Sequence, residues 1–146
     1  MMREYPSGPI LAVGAVVLDA NRVLLVKRAQ QPGKGTWSIP GGVVGLGETL
    51  DQALRREILE ETGLLVQPLE LVGVAERILM EAERVQYHYV ILDYLCLVQG
   101  GALQASSDAE QARWFHLEEI ASLGLNAQAL EIIQKARRLA QIGEGF

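Results

Sequence analysis

Three glutamates lie close together in one short segment of the chain, at positions 57, 60 and 61. The segment has the apolar spacing of an amphipathic helix; Glu57 and Glu61 fall on its leucine side, and Glu60 lies at the edge of that side. Carboxylates at these spacings repel one another, and burial adds a desolvation cost unless a cation compensates. Arg56 is one positive partner for three acids, so the pattern indicates a hard divalent cation held by oxygen ligands.

A helix from Leu50 to Thr62 is predicted to carry these acids. Thr49 followed three residues later by Gln52 matches a capping box, and Gly63 suits a left-handed helix stop. The preceding loop contains glycines that allow a ligand to approach the backbone closely, at positions 41, 42, 45 and 47. The alternative is a surface helix with a solvated acidic end, but it does not explain why the glutamates share the leucine side.

The stretch from Gly42 to Leu64 resembles the signature of the Nudix hydrolases. The family pattern is a glycine, five residues, a glutamate, seven residues, Arg-Glu-aliphatic, one residue, Glu-Glu, one residue and Gly-aliphatic. This chain meets every fixed position, at Gly42, Glu48, Arg56, Glu57, Ile58, Glu60, Glu61, Gly63 and Leu64. Nine constrained positions at fixed spacing are far more specific than a lone glycine-rich motif.

The resemblance implies a metal site that uses Mg²⁺ or Mn²⁺. The implied metal ligands are three carboxylates and one backbone carbonyl: Glu57, Glu60, Glu61 and Gly42. Arg56 would orient Glu57 or its neighbours, as hydrogen-bonded partners of metal ligands commonly do. Glu48 is expected to close the glycine loop through arginine or backbone contacts.

The general base is left open by the resemblance. It is either Glu60 or a residue of the predicted polar loop 106–111, where Asp108 and Glu110 are the candidates. Many relatives carry a glutamate three positions before the tryptophan of the next strand, and this chain has Gln111 there. Glu110, the acid next to that position, is included among the catalytic candidates.

Four residues are candidates for contacts with the substrate: Arg28, Trp37, Gly41 and Gly42. Arg28 ends a predicted strand and is placed either to reach a phosphate or to be solvated. Trp37 opens a Trp-Ser-Ile-Pro-Gly-Gly stretch that resembles the family's approach to its signature. It either stacks on a nucleobase or packs in the core, and the core role is favoured.

Composition predicts one globular domain over residues 1–146. A net charge of −5 argues against a nucleic-acid polymer as partner, and no apolar run is long enough to span a membrane. Residues 1–6 lack the apolar core of a secretory signal, and Cys96 is the single cysteine. A reducing cytoplasm is the expected location.

Strand-like and helix-like segments alternate along the chain. Strands are predicted over 10–18, 23–28, 69–78, 86–98 and 113–116, with a loop at 80–84 and a closing helix over 126–142. Tyr87, Tyr89 and Asp93 share one face of their strand by the period-two rule. With the resemblance, this order implies an α/β fold, a Nudix-type α/β/α sandwich around a mixed sheet.

The resemblance implies hydrolysis of the pyrophosphate bond in a nucleoside diphosphate linked to another moiety. The chain looks most like the bacterial ADP-ribose pyrophosphatases, which indicates cleavage of ADP-ribose to AMP and ribose 5-phosphate. The alternatives are a nucleoside triphosphate pyrophosphatase that removes damaged nucleotides and a domain that senses nucleotides without catalysis. The partners implied are a small nucleotide substrate and, by resemblance alone, a second copy in a homodimer.

Overall fold

The computed structural model describes residues 3–106 and 109–144, with residues 142–144 described by their backbone alone. The strands are β1 (Ile10–Asp19), β2 (Arg22–Arg28), β3 (Trp37–Ser38), β4 (Gly41–Val43), β5 (Leu64–Glu81), β6 (Arg84–Gly101) and β7 (Ala109–His116). The helices are α1 (Leu50–Thr62) and α2 (Ala127–Glu144), with a short 3₁₀ turn at Ile120–Ser122.

β1 is the central strand of a mixed sheet. The order is β3-β2-β1-β6-β5, with β4 paired to β1 and β7 paired to β2. β1 runs parallel to β6 and antiparallel to both β2 and β4. The nearly continuous apolar sequence of β1 fits this position, because a strand covered on both faces carries apolar side chains at successive positions.

Helices cover the two faces of the sheet. Val13, Ala15 and Val17 of β1 pack in a cluster with the buried residues of α1, and Val16 and Leu18 pack in a second cluster with α2. Alternate residues of a strand point to opposite faces, so β1 contributes to both cores. The predicted α/β/α sandwich around a mixed sheet is confirmed.

The predicted bounds and caps of α1 are confirmed. The Thr49 hydroxyl accepts from the Gln52 backbone N–H at 3.1 Å, and the Gln52 side chain accepts from the Thr49 N–H at 2.9 Å. Gly63 ends the helix with φ of 76°, and its N–H donates to the Leu59 carbonyl. This left-handed conformation costs a glycine little, which explains why the helix stops there.

The hairpin of β5 and β6 differs from the prediction. Both strands are longer than predicted, and the expected loop at 80–84 is reduced to a turn at Ala82 and Glu83. The prediction of a loop was wrong because the polar residues there are exposed strand ends, which polarity alone does not separate from a loop. Ala82 adopts φ of 55°, a conformation that allows so tight a turn.

The predicted polar loop 106–111 is also shorter in the structure. β7 begins at Ala109 and pairs with β2, so Glu110 and Gln111 lie in a strand. Asp108 lies outside the described residues. Within the described ranges, neither helix has the length and apolar character needed to cross a membrane.

Candidate active site

The three glutamates of α1 lie in different environments. Glu61 is buried, and the side chain of Glu57 is 15% exposed, whereas that of Glu60 is 48% exposed. Ala53, Leu54 and Ile58 of the same helix are fully buried. The helix-wheel prediction that Glu57 and Glu61 share the apolar side, with Glu60 at its edge, is confirmed.

Arg56 connects the acids to the glycine loop. Its guanidinium donates to both carboxylate oxygens of Glu48, at 2.6 and 2.7 Å, and to the Val43 carbonyl at 3.1 Å. It also donates to Glu57 at 2.8 Å and to Glu60 at 3.3 Å. Bidentate pairing fixes the plane of the guanidinium, so Arg56 sets the position of Glu57 relative to the loop.

Glu48 closes the loop, as predicted. Its carboxylate accepts from the Gly45 N–H at 2.7 Å as well as from Arg56. The hydrogen bonds from Arg56, with the Gly45 N–H second, lower the pKa of Glu48 to about 2. The same pairing, chiefly with Glu48 and then with Glu57, raises the pKa of Arg56. The pair is therefore charged throughout the physiological pH range.

Gly41 and Gly42 bring the backbone of β4 close to its neighbours. A Cβ at Gly42 would overlap the carboxylate of Glu57, and a Cβ at Gly41 would overlap the Val13 carbonyl of β1. The Gly41 N–H donates to the Glu61 carboxylate at 3.3 Å. The two carboxylates therefore lie directly against the backbone of β4.

A cavity of about 580 Å³ opens beside these groups. Glu57, Glu61, Gly41 and Gly42 line it from α1 and β4, and Arg28 and Arg77 line it from β2 and β5. The volume is within the range typical of small-molecule sites. Further lining residues are aromatic or polar: Tyr87, Tyr89, Ser38, Asp93, Gln30 and Asn126.

The carboxylates at the cavity suit a divalent cation. Glu57 and Glu61 offer hard oxygen donors beside the backbone of Gly42, which is the donor chemistry that Mg²⁺ or Mn²⁺ requires. In the described part of the chain, no group of three or more His, Cys, Asp or Glu side chains is already arranged around one point. Glu60 instead faces Arg56 and lies outside the cavity lining.

The other candidate residues occupy different places. Arg28 lines the cavity, and its Nε donates to the Pro32 carbonyl at 2.6 Å. Trp37 packs edge-on against Phe115, with ring centroids 4.9 Å apart, and lies outside the cavity lining. Glu110 is exposed on β7 and is also outside the lining. Ser106 hydrogen-bonds to the Glu60 and Glu61 carbonyls, so the segment before β7 lies beside the end of α1.

Asp93 and Ser38 are cavity residues that were not among the predicted site residues. Asp93 is 5% exposed, and among the described residues the Ser38 hydroxyl is a buried polar group without a hydrogen-bond partner. The signal for Asp93 was in the sequence, since one acid interrupts the apolar run Val-Ile-Leu-Asp-Tyr-Leu on the same face as Tyr87 and Tyr89. Ser38 carried no such signal.

Burial changes the acidity of Asp93. Desolvation disfavours the ionised form and raises the pKa of Asp93 to about 7. A Cβ at Gly14, the neighbouring residue of β1, would overlap a carboxylate oxygen of Asp93. The carboxyl group thus lies over the glycine of the adjacent strand, on the cavity side of the sheet.

Comparison with known proteins agrees with this geometry. A family model described as the NUDIX domain matches residues 8–136. An ADP-ribose pyrophosphatase from Methanocaldococcus jannaschii is 34% identical over 84% of this chain and 70% of its own length. An oxidized purine nucleoside triphosphate hydrolase from Danio rerio is 36% identical over 72% of this chain and 65% of its own length.

A solved structure supports the same relationship. The NUDIX domain of Shewanella oneidensis NrtR, complexed with ADP ribose, superposes with a TM-score of 0.75 at 26% identity and covers 92% of this chain and 90% of that one. The signature on α1, the mixed sheet and the cavity beside the glutamates are thus accompanied by similarity along most of the chain. The chain belongs to the Nudix family and is a Nudix pyrophosphohydrolase.

Proposed function

We propose that this enzyme hydrolyses the pyrophosphate bond of ADP-ribose, giving AMP and ribose 5-phosphate, with Mg²⁺ or Mn²⁺ as cofactor. The observation that carries the proposal is the composition of one cavity, which has carboxylates at α1, arginines on β2 and β5 and tyrosines on β6. Acidic groups suit a cation, arginines suit phosphates, and aromatic rings suit a base or ribose. The similarity to an ADP-ribose pyrophosphatase supports the choice of substrate.

Hydrolysis adds water across the P–O–P link. The hydroxyl group of water ends on one phosphorus, and the bridging oxygen leaves with the other phosphate, so two phosphate monoesters form. A divalent cation, when bound, neutralises phosphate charge and polarises the attacking water. In this chain Glu57 and Glu61 would hold it against the Gly42 carbonyl, with Glu60 as the third proposed carboxylate ligand.

The other residues have supporting roles in the proposal. Arg56 positions Glu57 through the hydrogen bonds described above. Arg28 is a guanidinium at the cavity wall and is placed to bind a substrate phosphate. For the general base we retain Glu60 and the residues Asp108 and Glu110 near the start of β7 as candidates. The segment that precedes β7 is hydrogen-bonded to the end of α1, which supports keeping the acids of that region as candidates for the general base.

The substrate is tested by measuring phosphate release, after coupling to a phosphatase, from ADP-ribose, sugar nucleotides, dinucleoside polyphosphates and nucleoside triphosphates. Each is assayed with Mg²⁺ and with EDTA. The proposal predicts that ADP-ribose has the highest kcat/KM and that EDTA abolishes turnover. A higher kcat/KM for a triphosphate would instead favour a nucleoside triphosphate pyrophosphatase that removes damaged nucleotides. The similarity to the Danio rerio hydrolase supports this alternative. Tight ADP-ribose binding without turnover of any substrate would favour a nucleotide sensor.

We also propose that two copies associate through the β5–β6 hairpin. β5 is an edge strand of the sheet, and Val74, Ile78 and Met80 are about half exposed. Ala75 and Arg77 line the cavity, so the alternating exposed residues point to the opposite face. An exposed apolar edge strand is a natural surface for a second copy. Light scattering should give the mass of a dimer, and Val74→Glu with Ile78→Glu should give that of a monomer.

The proposed setting is a reducing cytoplasm, with a small nucleotide as substrate and no nucleic-acid polymer or membrane as partner. The chain's negative charge supports the exclusion of a polyanion, because a site for one needs an excess of basic residues. Cys96 is buried, and burial raises the pKa of its thiol to about 12. This thiol is therefore poorly reactive and is not proposed to take part in the chemistry.

A further inference from the structure

Asp93 and Ser38 place two buried polar groups at the wall of the same cavity. Asp93 is more than nine-tenths buried, and within the described residues its carboxyl group forms no hydrogen bond or ion pair. The Ser38 hydroxyl is likewise without a partner there. Buried polar groups are nearly always hydrogen-bonded, and each one left without a partner destabilises the fold. Both residues line one cavity, and the carboxyl group of Asp93 is available there to a hydrogen-bond donor of a ligand.

Asp93 belongs to β6, whereas the α1 glutamates contact β4 on the other side of β1. Gly14 of β1 pairs with Gly41 on one side and with Asp93 on the other. The backbone of Asp93 therefore lies two strand spacings, about 10 Å, from the strand that contacts Glu61, and its carboxyl group reaches over Gly14 between them. A carboxyl group that no cation neutralises repels phosphate, so the part of the substrate beside Asp93 is not a phosphate.

The surroundings of Asp93 favour a flat, mostly apolar group. Tyr87, Tyr89 and Ile91 precede it on the same face of β6 and line the cavity, and the two tyrosine rings are 15° from parallel with centroids 6.3 Å apart. Ile39 also lines the cavity near Asp93, within van der Waals distance of the Gly14 Cβ position. Aromatic and aliphatic walls with one polar end suit the face and edge of a nucleobase better than a hydroxyl-rich sugar.

We propose that Asp93 is the specificity-determining residue for the nucleobase and accepts a hydrogen bond from its exocyclic amino group. This inference rests on the proposed nucleotide substrate. An ionised carboxyl group has only acceptor oxygens, and an exocyclic amino group is always a donor. A base with an oxo group at that place would set two acceptors against each other, and a buried mismatch of this kind is strongly disfavoured.

The test compares nucleotides whose bases carry either an amino group or an oxo group at the same ring position. At about pH 8.5, where the carboxyl group of Asp93 is ionised, binding of AMP and IMP is measured by titration calorimetry, and kcat/KM is measured for ADP-ribose and its inosine analogue. The wild-type enzyme should prefer the amino base by about 10-fold or more in both measurements. In Asp93→Asn the side-chain amide can turn its NH₂ group to an oxo group, so the preference should fall to within about 3-fold. Asp19→Asn, which changes an exposed acid at the end of β1 outside the cavity lining, is the matched control and should keep the wild-type preference.

The outcomes separate this inference from the proposed function. An equal affinity of the wild type for AMP and IMP, or no binding of either, would overturn the inference whether or not the enzyme turns over. A preference that persists in Asp93→Asn would also overturn it. Asp93→Leu is the second variant, since it removes both oxygen atoms and should bring AMP and IMP to the same affinity. If AMP preference and its loss are observed but ADP-ribose is not cleaved, the proposed function fails and the base site stands.

Discussion

The carboxylate of Glu57 occupies the space beside Gly42 that a side chain at that position would fill. The overlap that a Cβ would make involves both oxygens and the carboxyl carbon of Glu57. Gly42 and Glu57 come from different elements, β4 and α1, and this contact fixes the distance between them. The glycine of the signature is thus explained by the glutamate that it accommodates.

Gly42→Ala should displace Glu57 and lower kcat by about 100-fold, because small displacements of groups at a reacting centre have large effects on rate. Gly8→Ala is the control, since a Cβ at Gly8 meets nothing within 4 Å and its φ is not left-handed. Steady-state kinetics and thermal unfolding of both variants separate a local effect from a loss of folding. Equal turnover in the two variants would show that the contact does not position Glu57.

Arg56→Lys should lower kcat by about 10-fold to 100-fold and raise the Mg²⁺ concentration needed for half-maximal rate. Lysine keeps the charge but cannot bind Glu48 through two parallel hydrogen bonds while also donating to Glu57. Arg55→Lys is the matched control, because Arg55 pairs with Asp51 at an exposed position of the same helix. An unchanged Mg²⁺ requirement in Arg56→Lys would contradict a positioning role.

Asp93 should make the stability of the protein depend on pH. Its pKa is about 7 in the folded protein and near its ordinary value of 3.8 in the unfolded chain. Between these values the folded state holds a proton that the unfolded state has lost, so this group's contribution to the free energy of unfolding falls as pH rises from about 4 to about 7. Above about pH 7 the contribution of Asp93 to the free energy of unfolding no longer changes with pH.

Asp93→Asn should remove this part of the pH dependence and be the more stable protein near pH 7, by a few kcal/mol. The measurement is urea unfolding of both proteins at pH 5 and pH 7.5. The cavity also holds charged groups from β2, β5 and α1, namely Arg28, Arg77, Glu57 and Glu61. The quantity compared is therefore the difference in free energy of unfolding between the two proteins at each pH. If this difference is the same at both pH values, the raised pKa is contradicted.

Local chemistry explains which parts of the fold could be predicted from the sequence. The caps, bounds and buried side of α1 depend on residues within a few positions of one another, and the prediction of all three was confirmed. The loop between β5 and β6 was wrongly predicted because exposed polar residues suit both a loop and the end of a long hairpin. Pairing with a distant strand decides between these two states, and sequence periodicity does not record it.

The candidate site also combines contacts set by nearby residues with contacts that only the folded sheet creates. The arginine-centred network lies within the signature, so the expected contacts of Glu48 and Glu57 with Arg56 are present in the structure. The cavity joins residues from β1 to β6 and from both helices, and only the folded sheet brings them together. Ser38 could not be assigned to it from its neighbours in the chain, and the one local signal for Asp93 was an acid within an apolar run. The functional roles assigned to all the predicted site residues stay predictions: Arg28, Trp37, Gly41, Gly42, Arg56, Glu57, Glu60, Glu61 and Glu110.

The most direct test is the turnover of ADP-ribose with saturating Mg²⁺ by the wild type, Glu61→Gln and Glu60→Gln, with thermal unfolding to show that each variant is folded. Removing one metal ligand or general base should lower kcat by about 100-fold or more, so each variant is expected to lose at least that much. EDTA should abolish the wild-type rate. Near-normal turnover in both folded variants would contradict the claim that the acidic groups of α1 carry out metal-dependent pyrophosphate hydrolysis.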